Sequence, residues 1–96
     1  MIRKRVCFWE RIARELGYKI LTCGIGWMHC EVKNNVNVLL EYQPDLDLFV
    51  VHVKIMNGDD FERYYYGPHR RENLKENIEE FIKGREEDIK LRKATK

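Results

Sequence analysis

Residues 36–56, VNVLLEYQPDLDLFVVHVKIM, decide the fold. Two β-rich apolar runs flank Gln43-Pro44-Asp45, a turn signal. The second run, Leu48-Phe49-Val50-Val51-His52-Val53-Lys54-Ile55, is apolar at consecutive positions in its middle. That pattern predicts a central strand covered on both faces rather than an edge.

Working outward, Asn34-Asn35 separates this region from an earlier alternating run, and both asparagines tolerate positive φ. In that run, Trp27 to Lys33, the set Met28, Cys30 and Val32 shares one face; Trp27, His29, Glu31 and Lys33 share the other. The first set continues inward as Val36, Val38, Leu40 and Tyr42, then Phe49, Val51, Val53 and Ile55. A further strand is expected over residues 18–23, before Gly24-Ile25-Gly26. On the far side, Asn57-Gly58-Asp59-Asp60 is the strongest turn in the chain and leads into a last strand over residues 61–66. Alternation there turns Tyr65 away from Tyr64 and Tyr66, and Gly67-Pro68 is expected to close the sheet, with Pro68 opening a helix.

Two helices bracket the strands. Over residues 3–16, Val6, Trp9, Ile12, Ala13 and Leu16 recur at three- and four-residue spacing, and Gly17 stops the helix. From residue 69 to about 92, Leu74, Ile78, Phe81, Ile82 and Ile89 form a stripe, with acids early and bases late. Gly84 is a candidate kink or end to the packed part. The expected fold is therefore a single α+β domain over residues 1–92 with a frayed basic tail over 93–96. It is a two-layer sandwich: N-terminal helix, about five-stranded antiparallel meander sheet, C-terminal helix, with both helices on one sheet face. This order resembles that of frataxin-like domains. The acidic ridge those domains carry on their first helix is replaced here by Arg3, Lys4, Arg5, Arg11 and Arg14, so the resemblance implies fold alone.

Composition narrows the function. Ninety-six residues, 44% apolar and 35% charged, suit one modest core, and no apolar run approaches a membrane span. Three cysteines at irregular spacing read as reduced thiols, and no signal-peptide pattern opens the chain, so the expected location is cytoplasmic. Serine is absent, which excludes serine-based acyl chemistry. Net charge is +2, but residues 1–19 carry six bases against two acids and residues 72–88 carry seven acids against three bases.

No constellation predicts catalysis. Cys23, His29 and Cys30 lack the paired spacing of a zinc site, and adjacent strand residues point to opposite faces, so neither metal nor cofactor is expected. Asp45/Asp47 and Asp59/Asp60 sit in turns, where aspartate caps backbone amides. No small-molecule substrate suggests itself.

What remains is an imbalance. Two helices cover one sheet face, while Trp27, His29, Leu48, Val50, His52, Phe61 and Tyr65 fall on the other. The expectation is a small non-catalytic binding protein, not an enzyme. It would dock onto a partner protein through Trp27, His29, Val50, His52 and Tyr65, aided by the basic residues Arg63, Arg70 and Arg71, or pair with itself as a homodimer. In size and charged surface it is similar to small phage-encoded inhibitors of host enzymes. The alternative is nucleic-acid binding through Arg3, Lys4, Arg5, Arg11 and Arg14, with Tyr65 stacking on a base. Against it stands attraction of the basic first helix to the acidic second.

Overall fold

The computed structural model describes residues 8–94. It runs α1 (Phe8–Leu16), β1 (Lys19–Gly24), β2 (Trp27–Lys33), β3 (Val36–Gln43), β4 (Leu48–Asn57), β5 (Asp60–His69), a short 3-10 turn (Arg71–Asn73) and α2 (Leu74–Ala94). The sheet order is β1-β2-β3-β4-β5, every neighbour antiparallel, as the alternation predicted. Each hairpin is closed by residues that accept left-handed backbone: Gly26 (φ 82°), Asn35 (φ 70°), Asp47 (φ 52°) and Gly58 (φ 69°). The Tyr42 hydroxyl steadies the third turn by donating to Asp47 Oδ1 at 2.6 Å.

One face of this sheet is the core. Met28, Leu40 and Val51 pair across β2, β3 and β4, and Cys30, Val38 and Val53 form the next row; all six are buried. Trp9, Ile12, Ala13 and Leu16 of α1, with Leu74, Ile78, Ile82 and Ile89 of α2, lie over them. Both helices therefore pack on the same side. Phe81 stacks on Tyr66 (centroids 4.3 Å apart) and meets Tyr64 edge-on at 5.7 Å, which accounts for the inward pair of the three tyrosines. Ion pairs lash the rim of α2 to the sheet: Lys33 Nζ to Glu86 Oε1 and Arg92 Nη2 to Glu62 Oε2, each 2.8 Å.

Several local expectations are corrected. The last strand does not stop at Tyr66. It continues through Gly67-Pro68 to His69, because β5 is an edge strand and its register shifts between the Phe49 and Val51 pairings, where a proline lacking N–H costs no ladder bond. Pro68 is consequently not a helical residue. Gly84 does not end the packed part of the last element, since Ile89 beyond it is buried and α2 reaches Ala94. A register shift between Glu31 and Lys33 turns Lys33 to the helix side, where it meets Glu86. Residues 3–7 of the predicted first helix lie outside the described residues.

Candidate functional site

The outer sheet face is built by the same alternation that built the core. Three rows cross it. Thr22, His29, Leu39, His52 and Tyr65 pair strand to strand across all five strands. On one side lies the row Lys19, Glu31, Asn37, Lys54 and Arg63; on the other lie Gly24, Trp27, Glu41 and Val50. An open groove of about 680 Å³ lies on this face, lined among others by Trp27, His29, Leu39, Lys54, Arg63 and Tyr65.

Trp27 and Tyr65 are the walls. Trp27 is 37% exposed and Tyr65 65%, so neither is sealed within the chain. Trp27 is nonetheless held in place. A Cβ built on Gly24 would lie 2.5 Å from the indole Nε1 and 2.6 Å from Cε2, so only a glycine opposite lets the ring rest against the β1 backbone. Tyr65 meets the His52 ring edge-on at 5.4 Å, and His52 Nε2 lies 2.7 Å from Glu41 Oε1. Lys54 Nζ (4.4 Å) and the Arg63 guanidinium (5.1 Å) both sit over the Phe61 ring, which places two positive charges beside the groove. The groove lining includes no carboxylate.

Not every residue expected on this face serves it. Val50 is only 7% exposed. It lies on β4 where the β5 register shifts, and it offers little surface for contact. Arg71 belongs to the helical layer, where its Nε donates to Glu15 Oε1 at 3.0 Å and its Nη2 pairs with Glu15 Oε2. That pairing holds the Glu15 carboxyl below its ordinary range. Arg63 and Arg70 are seven residues apart, roughly 23 Å along an extended chain, so the three arginines do not form one patch. Leu39, Lys54, Asn37 and Thr22 belong to the face and carry no mark of it in the motifs of the sequence. The signal was the parity already used for the core: each neighbours an inward residue or pairs with an outward one.

The nucleic-acid reading splits in two. Exposed Arg11 and Arg14 lie on α1, over the inner face, whereas Tyr65 lies on the outer one. Phosphate contacts at Arg11 and Arg14 and a stacked base at Tyr65 would therefore fall on opposite faces of the sheet. Arg3, Lys4 and Arg5 are outside the described residues. Among the described residues, one ion pair of α1 runs from its acid Glu15 to Arg71, just before α2.

Cys30 is buried on the inner face, where burial pushes its thiol up to about 12, while Cys23 is exposed and His29 faces outward. Among the described residues no group of three or more His, Cys, Asp or Glu could hold a metal ion, and no helix is long and apolar enough to cross a membrane. His69 accepts from Asn77 Nδ2 at Nδ1 (3.2 Å), its Nε2 is buried with no hydrogen-bond partner among the described residues, and burial lowers its pKa. Compared with protein-family models, with curated proteins and with solved structures, the chain matches none.

Proposed function

We propose that this chain is a non-catalytic binding protein whose docking surface is the outer face of its sheet. The observation that carries this is the state of Trp27: a large aromatic ring, held against Gly24 and still 37% exposed, at the wall of an open groove. Aromatic anchors held in place before contact lose little conformational entropy on binding and dominate interface energies. Tyr65 is a second such anchor at the opposite wall, and Arg63 and Lys54 supply charge at the rim. The partner is a protein, and regulation or inhibition of an enzyme by occlusion is the role a small rigid face of this kind suits.

Affinity capture from the native host tests it, with wild-type chain and Trp27→Glu as parallel baits. A partner retained by the first and lost by the second is the expected result. A partner held equally by both baits would remove the outer face from the account.

A further inference from the structure

Resting on that docking reading, we infer that in the free protein the occupant of the outer face is a second copy of this chain, related by a two-fold axis running along β3. The meander has an odd number of strands, so β3 is its midline. A two-fold parallel to β3 lays β2 over the partner's β4 and β1 over its β5, while β3 faces itself. Isologous contacts of this kind need a surface complementary to its own rotated image.

The outer rows meet that demand. In the middle row, Leu39 lies on the midline and meets its own copy, His29 faces His52, and small Thr22 faces the protruding Tyr65. In the next row, Asn37 lies on the midline and Glu31 faces Lys54. Within one chain Glu31 and Lys54 stand two strands apart and no ion pair joins them. Across the axis they pair twice. In the third row Trp27 faces Val50. A two-fold parallel to β3 keeps the opposing strands aligned, so facing rows stay level and Glu31 lies within reach of a lysine side chain across the roughly 10 Å between packed sheets. Two contacts oppose. Glu41 meets its own copy, but each is turned to its own His52 at 2.7 Å. Lys19 meets Arg63 at the solvent-screened rim. Five strands by about 25 Å give roughly 500 Å² per copy, or on the order of 1,000 Å² in total, at the lower bound for a specific pair. Micromolar self-association is the matching expectation.

Charge reversal in solution tests the axis directly. Light scattering across a concentration series should give a dimer for wild type and a weakening of at least about tenfold for Glu31→Lys and for Lys54→Glu, because each reversal puts like charges together twice. An equimolar mixture of the two variants should recover the dimer, since each then meets the other's reversed partner at both contacts. Leu39→Glu, on the midline, should be monomeric and folded. A wild type monomeric at hundreds of micromolar, or a mixture no tighter than its components, overturns the two-fold. Host capture lost in Trp27→Glu alongside a monomeric wild type would end this inference and leave the docking reading standing. A monomer with no partner dependent on Trp27 would end both.

Discussion

The two faces of the sheet differ by one residue of parity and little else in local sequence. Met28, Leu40 and Val51 are buried under two helices; their neighbours His29, Leu39 and His52 remain half-exposed beside an open groove. On the inner face apolar side chains meet apolar side chains, and burial contributes about 1.5–3 kcal/mol for each large one. On the outer face aromatic rings alternate with Lys54, Arg63, Glu31 and Glu41, charges that any covering layer must pair or leave in contact with water. The lesson is that hydrophobic content alone does not mark a core: what lies across from a ring decides whether it is packing or waiting for a partner.

Breaking the inner face should have the largest effect. Phe49, fully buried among Trp9, Tyr42 and Phe8, should cost about 3–5 kcal/mol as Phe49→Ala in chemical denaturation, and Ile78→Ala about 2–5 kcal/mol. The matching outer change, Tyr65→Ala, should cost less than about 1 kcal/mol while weakening association. If Tyr65→Ala were as damaging to folding as Phe49→Ala, the two faces would not differ in kind. Gly24→Ala sharpens the contrast from within the outer face. The new Cβ would displace the Trp27 indole, changing its fluorescence and its contact with any partner at a stability cost of about 1 kcal/mol.

Smaller effects fall at the edges of the helical layer. Arg71→Ala removes a half-exposed ion pair with Glu15 and should cost no more than about 1 kcal/mol, shrinking further in high salt. The pH dependence has a defined sign. His69 has a lowered folded pKa, so the unfolded chain binds the proton more readily, and stability falls as pH drops through the ordinary histidine value near 6.5. Melts between pH 7 and 5 should show that decline, and it should be shallower in His69→Gln. Glu15 and Glu62, held low by Arg71 and Arg92, act in the same direction only at lower pH, below the ordinary 4.5.

Much of this contrast was legible from alternation. The parity of the Tyr64-Tyr65-Tyr66 run, the inward set through β2, β3 and β4, and the placing of both helices on one face follow from side-chain period and from counting elements. Parity fails where the register shifts. The irregularity between Glu31 and Lys33 sends Lys33 to Glu86, and the one between the Phe49 and Val51 pairings accompanies a buried Val50 and a longer β5. No local propensity announces these, because a bulge is settled by how two strands meet rather than by either strand alone. The Glu15–Arg71 pair joins residues 56 apart and leaves no trace in sequence. The seat of Trp27 did leave one: a glycine and a tryptophan facing each other across a two-residue hairpin loop.

The most direct test of the outer face is the solution mass of Trp27→Glu beside wild type, by light scattering at matched concentration, with a thermal melt confirming that both are folded. The expected result is two chains for wild type and one for the variant, with melting temperatures close together. Equal masses for the two proteins, or loss of the fold in the variant, would contradict it.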